Sequence, residues 1–333
     1  MRIGRIALEG PDGPVARLAA AADDGRHAVD LRVAERLRLE RAGATADGAR
    51  RIAAALFPGS LTQALAAGPV FTDALARALD AAEEPALLDL DLVRFLSPVD
   101  PPVLRDFMAF ERHAVQAFGR LGRQPPSTLY ELPVYYKGNP TTLIGHQAEV
   151  PWPPYTDYLD FELELGFVVG RAGRDITPGQ ARGHVFGVTA LNDFSARDIQ
   201  GREMGGGLGP AKGKDFATAL GPWVVTPDAV DLSALPMAVR VNGETWASGS
   251  SAEAMWSLEE LVAWASAGEP LQPGEVLGSG TLGDGCGLEH GRRLEPGDTV
   301  ELEVGGVGVL RNTIGARVPP GWQPEPRAPG RSV

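Results

Sequence analysis

Asp160-Phe161-Glu162-Leu163-Glu164-Leu165 is a stretch in which acidic and apolar side chains alternate. Successive side chains of a β-strand point to opposite faces, so the apolar residues of this stretch would face a core. The acidic side chains would then share the other face: Asp160, Glu162 and Glu164. Like charges at this spacing repel each other. The pattern leaves two interpretations, the solvated face of an edge strand or a carboxylate group whose repulsion is offset by Mg²⁺, Mn²⁺ or Ca²⁺.

A second acidic motif, Asn192-Asp193-Phe194-Ser195-Ala196-Arg197-Asp198-Ile199-Gln200, directly follows the apolar run Val185–Leu191. Asp193 therefore lies at the predicted end of a strand, where functional side chains are often presented. An Asx-type turn or a helix cap is the alternative explanation for an aspartate at this point.

An acid and a histidine stand seven residues apart in Arg105-Asp106-Phe107-Met108-Ala109-Phe110-Glu111-Arg112-His113-Ala114. If this segment is helical throughout, seven residues are two turns, and Asp106 and His113 share one face. A metal-binding acid and a nearby histidine suit metal-assisted general-base catalysis. The alternative is a surface helix that carries a histidine without a role.

A lysine between small residues is the feature of Gly209-Pro210-Ala211-Lys212-Gly213-Lys214-Asp215-Phe216-Ala217-Thr218. Lys214 is well placed to meet an anionic group, although such a lysine is often simply solvated.

Taken together and in this order, the four segments resemble the fumarylacetoacetate hydrolase family over roughly residues 95–315. Leu129-Tyr130-Glu131-Leu132-Pro133-Val134-Tyr135-Tyr136 and Gly278-Ser279-Gly280-Thr281 add to the resemblance. It implies an α+β, β-rich fold in which a fumarylacetoacetase-type β-roll follows a smaller mixed α/β N-terminal domain. It also implies a homodimer.

The resemblance assigns roles to individual residues. Four acids would hold a divalent ion, Mg²⁺ or else Mn²⁺ or Ca²⁺: Asp106, Glu162, Glu164 and Asp193. His113 would be the general base, Glu289 the acid that orients it, and Lys214 and Gln200 further catalytic groups. Substrate would contact Tyr136 and Thr281, and also Met108 and Met204, which stand where fumarylacetoacetase itself has tyrosines. Lys214 and Thr218 match a second magnesium-associated site.

This resemblance implies a hydrolase that cleaves a C–C bond in a 1,3-diketo acid such as an acylpyruvate. Two alternatives remain open. One is an enzyme of the same fold that acts as an oxaloacetate-type decarboxylase, a keto–enol tautomerase or a diene-dioate isomerase. The other is a non-catalytic protein that binds a metal and a small acid.

Proline-rich segments that interrupt regular structure predict the domain boundaries. Ser97-Pro98-Val99-Asp100-Pro101-Pro102 separates an N-terminal domain (1–98) from a catalytic domain (99–318), and a Pro-rich tail (319–333) follows. The spacing predicts a hairpin of Arg2–Leu8 and Val15–Ala20, and helical spacing over Val103–Phe118. It also predicts a helix over Leu258–Ala267 capped by Ser257. We expect strands over Tyr158–Val169, Gly183–Asn192, Trp223–Thr226, Ala238–Val241, Val276–Thr281 and Thr299–Val309.

Charge and composition exclude several classes of protein. The net charge of −12 argues against a nucleic-acid partner. The single cysteine, Cys286, cannot form an intrachain disulfide. No apolar run is long enough for a membrane helix, and the N-terminus lacks a signal-peptide core. A cytoplasmic protein without a membrane partner is therefore the expectation.

Overall fold

The computed structural model of the chain describes residues 1–120 and 122–327. Its N-terminal part consists of antiparallel strands with helices packed on them. The strands are β1 (Arg2–Gly10), β2 (Gly13–Ala21), β3 (His27–Asp30), β4 (Leu87–Asp89) and β5 (Arg94–Phe95). The helices are α1 (Leu31–Arg41), α2 (Ala46–Leu56), α3 (Leu61–Leu65) and α4 (Pro69–Asp80). The predicted N-terminal hairpin is confirmed.

Strands are the main regular structure of the remaining chain. These strands are β6 (Leu104–Phe107), β7 (Tyr135–Gly138), β8 (Leu143–Ile144), β9 (Glu149–Val150), β10 (Leu159–Asp160), β11 (Leu163–Val169), β12 (Val185–Asn192), β13 (Ser195–Ala196), β14 (Thr218–Val225), β15 (Pro236–Val241), β16 (Glu244–Ser250), β17 (Val276–Gly278), β18 (Thr299–Val304) and β19 (Gly308–Ile314). They confirm the β-rich texture that short apolar runs between Gly and Pro predict.

Helices in this part of the chain are short. They are α5 (Glu111–Arg120), α6 (Thr128–Glu131), α7 (Pro178–Ala181), α8 (Arg197–Gly205), α9 (Leu258–Ser266) and α10 (Gly287–His290). Single 3₁₀ turns cover Glu84–Ala86, Leu90–Leu92, Pro140–Thr142, Arg182–His184 and Ser251–Glu253. The predicted cap of α9 is confirmed, because the Ser257 hydroxyl accepts from the backbone N–H of Glu260.

One twelve-stranded sheet runs through the molecule in the order β4-β3-β2-β1-β14-β12-β11-β17-β6-β7, with β5 on β1 and β8 on β14. A five-stranded sheet, β16-β15-β18-β19-β9, and the pair β10-β13 complete the pairing. The chain is thus a strand-rich α+β protein, as the sequence predicts.

Two apolar clusters form the core. The larger one lies between the two big sheets and includes Trp223, Val239 and Leu302. The second lies between the long sheet and the N-terminal helices, where Phe71 contacts Phe57 and Phe186 at centroid distances of 6.0 and 6.3 Å. Burying one such ring stabilises the fold by about 2–3 kcal/mol.

Three predicted elements differ from the structure. The strand expected over Tyr158–Val169 is divided after Asp160, and the one expected over Thr299–Val309 is a hairpin that turns between β18 and β19. The helix expected over Val103–Phe118 begins only at Glu111. Its first residues form β6 instead, because every residue of that strand is buried between β17 and β7, and an all-buried run satisfies a central strand as well as a helix.

The N-terminal strands belong to the same sheet as the strands that follow them. Strand β1 pairs with β14 antiparallel, with Ile3 opposite Val224. The division at residue 98 stays a prediction. Residues 319–327 of the predicted tail are exposed and have no regular structure, and 328–333 lie outside the described residues. No helix in the described chain has the length and apolar character needed to cross a membrane.

Deleting residues 1–98 removes β1 from the edge of β14. We expect the remaining fragment to aggregate, because the exposed β14 backbone and the uncovered Leu220 and Val224 would invite pairing with other chains. Soluble yield and size-exclusion light scattering measure this. Deletion of residues 319–333 is the matched control and should leave the protein monodisperse. A monodisperse 99–333 fragment that melts cooperatively would contradict the expectation.

Candidate active site

Asp106 lies on a central strand rather than on a helix. Strand β6 runs parallel to β17, which brings Asp106 opposite Gly278, and the backbone N–H of Gly280 donates to Asp106 Oδ1 at 3.2 Å. The expectation that Asp106 and His113 share one helix face is therefore wrong. A strand-to-helix turn separates them, and α5 starts only two residues before His113.

Glu162 and Glu164 lie beside Asp106. Carboxylate oxygens of the three residues are all within 4.8 Å of one another, and all three side chains are buried. Thr281 Oγ1 donates to Glu164 Oε1 at 3.1 Å. The solvated-edge interpretation is wrong, because β11 is covered on both sides by β12 and β17.

Asp160 does not join this carboxylate group, although a continuous strand would place it there. The break after β10 turns it toward the backbone N–H groups of Gly287 and Leu288, which donate to it at 2.8 and 3.0 Å. Arg197 Nε also donates to Asp160, at 2.8 Å. Its charge is therefore matched without an ion.

Two buried cations sit against the carboxylates. Lys214 Nζ donates to Glu162 and is 2.5 Å from Asp193 Oδ2, while Arg197 Nη1 donates to Glu162 Oε1 at 2.7 Å. Arg197 also lines the cavity, and no role is predicted for it from the sequence. The signal was present, because it is the cation inside the otherwise acidic motif that follows Asp193.

Asp193 lies next to the three-carboxylate group but is not part of it. Tyr136 Oη donates to its Oδ2 at 2.7 Å and Thr218 Oγ1 to its Oδ1 at 3.2 Å. The structure thus brings three of the four predicted metal ligands into one group and links the fourth to it through Lys214.

Burial and mutual repulsion change the acidity of the carboxyls. Burial, with repulsion from Asp193, raises the pKa of Asp106 to about 8. Burial and the neighbouring Asp106 raise the pKa of Glu164 well above its usual range. Burial also acts on Glu162, but Lys214 and Arg197 outweigh it and lower the pKa of that carboxyl to about 2. Without a further cation, Asp106 and Glu164 resist ionisation.

The donor set fits a hard divalent ion. The three acids offer only carboxylate oxygens, which Mg²⁺, Mn²⁺ and Ca²⁺ prefer. Glu164 Oε2 is buried and has no hydrogen-bond partner, so one ligand atom is left for an ion. Gly278 allows the close packing, because a Cβ there would collide with Asp106 Oδ1 and lie 3.2 Å from Glu164 Oε2.

His113 and Glu289 form a buried pair. His113 Nδ1 is 3.1 Å from Glu289 Oε1, which leaves Nε2 as the ring nitrogen available to a bound molecule. The other oxygen of Glu289 accepts from the backbone N–H of Cys286 at 3.1 Å, which fixes the carboxylate. Burial raises the pKa of the Cys286 thiol well above its usual range, so this cysteine is not a thiolate nucleophile.

A cavity of about 380 Å³ joins these groups. Ten of the twelve predicted site residues line it: Asp106, Met108, His113, Tyr136, Glu162, Glu164, Gln200, Met204, Lys214 and Thr281. The other two, Asp193 and Glu289, contact lining residues from behind. Apolar side chains of Phe107, Phe118 and Val134 form another part of the wall. Arg120 lines the cavity as well.

The similarity to known proteins covers the part of the chain that forms this site. The family described as Fumarylacetoacetate (FAA) hydrolase C-terminal matches residues 102–315. Oxaloacetate tautomerase YisK of Bacillus subtilis is 30% identical over 270 residues, covering 78% of this chain and 87% of the relative. The mitochondrial oxaloacetate tautomerase FAHD2A of Homo sapiens is 33% identical over 261 residues, covering 77% and 80%.

Among solved structures, a fumarylacetoacetate hydrolase from the psychrophile Exiguobacterium antarcticum superposes with a TM-score of 0.72 at 27% identity. The superposition covers 95% of this chain and all of that one. Since the family match spans well over half of the chain and both relatives are aligned over most of their length, this protein belongs to the fumarylacetoacetate hydrolase family of metal-dependent enzymes.

Proposed function

We propose that this enzyme interconverts the keto and enol forms of a small 2-keto acid of the oxaloacetate type, with a divalent metal ion as cofactor. The observation that carries the proposal is the His113–Glu289 pair, which opens into the same cavity as the three-carboxylate group. An acid–base group beside a metal site is what enolisation of a metal-chelated keto acid requires. The names of the two relatives support the oxaloacetate type.

Asp106, Glu162 and Glu164 would hold the ion, and Asp193 would complete the set. Mg²⁺ is the first choice for such oxygen donors, with Mn²⁺ and Ca²⁺ as the other hard ions. When bound, the ion supplies Lewis acidity that polarises the 2-keto carbonyl of the substrate.

His113 is the residue proposed to transfer the proton. His113 Nε2 would take a proton from the carbon next to the carbonyl, and ionised Glu289 would stabilise the imidazolium that forms. Lys214 and Gln200, both on the cavity wall, would donate hydrogen bonds to the oxygen on which charge develops. Return of the proton to that oxygen gives the enol and restores neutral His113.

Hydrolysis of a C–C bond in an acylpyruvate, the reaction expected from the sequence, is the second candidate. A specific observation favours it: the cavity of about 380 Å³ has an apolar wall that includes Met108 and Met204, and a four-carbon acid leaves this wall uncovered. His113 would then take its proton from water, which attacks the distal carbonyl. Decarboxylation, diene-dioate isomerisation and binding without turnover are further outcomes that the same assay separates.

Two other expectations stay proposals. The family resemblance implies a homodimer, which light scattering on the purified protein tests. A cytoplasmic location is the remaining expectation, and fractionation of the source cells tests it.

Replacing His113 by Gln should lower the metal-dependent rate of enol formation from oxaloacetate by about 100-fold or more, the usual contribution of a general base. Glu289→Gln should lower it by about tenfold or more, because the imidazolium loses its charge partner. The ultraviolet absorbance of the enol is followed with Mg²⁺ and then with EDTA, and acylpyruvates are run in parallel with identification of the products.

His27→Gln is the matched control, since this partly exposed imidazole bonds to Asp24 and does not line the cavity. It should retain the wild-type rate. Cleavage of acylpyruvates into two acids without enolisation of oxaloacetate would move the assignment to the hydrolase. Full activity of His113→Gln in both assays would remove His113 from the mechanism.

Mg²⁺ affinity should rise with pH, because burial and mutual repulsion keep protons on Asp106 and Glu164 in the metal-free protein. These protons must leave before the ion binds, so affinity changes about tenfold per pH unit for each proton displaced, and the Asp106 proton contributes below about pH 8. The folded metal-free chain also holds the Asp106 proton where an unfolded chain has released it, so the contribution of Asp106 to stability falls as pH rises from about 4 to about 8.

Calorimetric titration of Mg²⁺ and thermal unfolding with and without the ion, between about pH 6 and pH 9, measure both effects. Asp106→Asn should bind Mg²⁺ more weakly and with a smaller pH slope, since it has no proton to lose. An affinity that does not change with pH would mean that Asp106 and Glu164 are both already ionised in the free protein.

Gly278→Ala should weaken Mg²⁺ binding by about tenfold or more, because the added methyl group pushes Asp106 away from Glu164. Gly179→Ala is the control, since a Cβ there meets nothing within 4 Å. Calorimetry and the Mg²⁺-induced rise in melting temperature report the effect. Unchanged Mg²⁺ affinity in Gly278→Ala would show that Asp106 is not a ligand in this position.

A further inference from the structure

A second cavity, of about 350 Å³, lies in the N-terminal part of the protein. Its wall comes from β2, α1 and α2, so it is separate from the active-site cavity and shares no residue with it. Its charged lining residues are all arginines: Arg17, Arg32, Arg36 and Arg50. The rest of the lining is apolar, namely Val33, Ala53 and Ala54. Such a concentration of positive charge is unexpected on a chain with a net charge of −12.

Two of these arginines have too little negative charge around them. Arg17 Nε is 3.6 Å from Asp30 Oδ2, which is beyond hydrogen-bond length, and this buried Nε has no hydrogen-bond partner. Arg32 Nε donates only to the neutral carbonyl of Phe57, at 3.0 Å. Asp30 is also the cap of α1 and accepts from the backbone N–H groups of Arg32 and Val33. One carboxylate therefore serves two guanidinium groups and a helix terminus.

The other two lining arginines are partly exposed and already paired with acids. Arg36 pairs with Glu40 at 3.1 Å and Arg50 with Asp47 at 2.8 Å, and neither acid lines the cavity. Burial, and after it the charge of Arg17, lowers the pKa of Arg32. A bound anion would offset the repulsion between these crowded cations and would accept from the buried donor that has no partner.

We propose that this cavity binds a small phosphate monoester. Guanidinium groups match the oxygens of a phosphate group through paired N–H donors, and here they converge from three elements on one space. The space is larger than inorganic phosphate requires, and the apolar lining of Val33, Ala53 and Ala54 would contact the organic part of the ligand. An extended nucleic acid is excluded as the ligand because the positive charge is confined to one cavity of an acidic protein.

Isothermal titration calorimetry tests whether the cavity binds a phosphate monoester. The full-length protein is titrated in Mg²⁺-containing buffer of low ionic strength, with glycerol 3-phosphate, inorganic phosphate and succinate as probes. Glycerol 3-phosphate should bind saturably and more tightly than succinate, which carries the same charge on carboxylates. Added NaCl should weaken binding, as for any ion pair that is partly open to solvent.

The double variant Arg36→Gln/Arg50→Gln should lose about tenfold or more in affinity for glycerol 3-phosphate. Its matched control is Arg41→Gln/Arg51→Gln, which removes the same charge from the same two helices but no lining residue. The control should stay within about twofold of wild type, since screened charges at a distance contribute little. Arg17→Gln is a third variant and should also lose affinity.

Several results would overturn the proposal. One is the absence of saturable binding of glycerol 3-phosphate at millimolar concentration to the wild-type protein. A second is an equal loss of affinity for glycerol 3-phosphate in the two double variants, which would mean that only the net charge of the protein matters. Succinate binding as tightly as glycerol 3-phosphate, with the same loss in Arg36→Gln/Arg50→Gln, would replace the phosphate class by a general dianion.

Discussion

Three carboxylates enclosed within 4.8 Å of one another are the constraint on which the rest of the site depends. Such a group repels itself strongly once it is removed from water. The protein offsets the repulsion unequally. Glu162 receives Lys214 and Arg197, whereas Asp106 and Glu164 receive only neutral donors from Gly280 and Thr281. The side of the group that lacks a protein cation is the side on which an ion is needed.

The sheet supplies the rigidity that this arrangement requires. Asp106 and Glu164 stand on two strands that flank β17, and β17 meets them with Gly278, which has no side chain to separate them. Neighbouring strands hold their residues at nearly fixed spacing, so ligands on them keep their separation better than ligands on loops do. The His113–Glu289 pair rests instead on two short helices that pack against each other at the cavity.

The sequence predicted which side chains meet at the cavity better than it predicted their local geometry. The family resemblance carried by the order of the motifs was enough to name ten residues of the cavity, from segments as far apart as Asp106 and Thr281. Periodicity was not enough to show that Asp106 lies on a strand, since an all-buried segment has no polar face to reveal its period. It likewise could not reveal the break between Asp160 and Glu162, which depends on backbone N–H groups of the distant helix α10. Continuity of the N-terminal strands with the long sheet depends on the pairing of β1 with β14, and no local pattern encodes a partner more than 200 residues away.

Glu289 has two tasks that are structurally inseparable. One oxygen faces His113, while the other closes the first turn of α10 by accepting from the backbone N–H of Cys286. A helix of four residues has little stability of its own, so its first turn depends on side-chain acceptors, Glu289 for the N–H of Cys286 and Asp160 for those of Gly287 and Leu288. The imidazole therefore acquires its charge partner only when α10 is formed, and the partner is lost when the helix frays. The orientation of the imidazole is in this way tied to the order of a single helical turn.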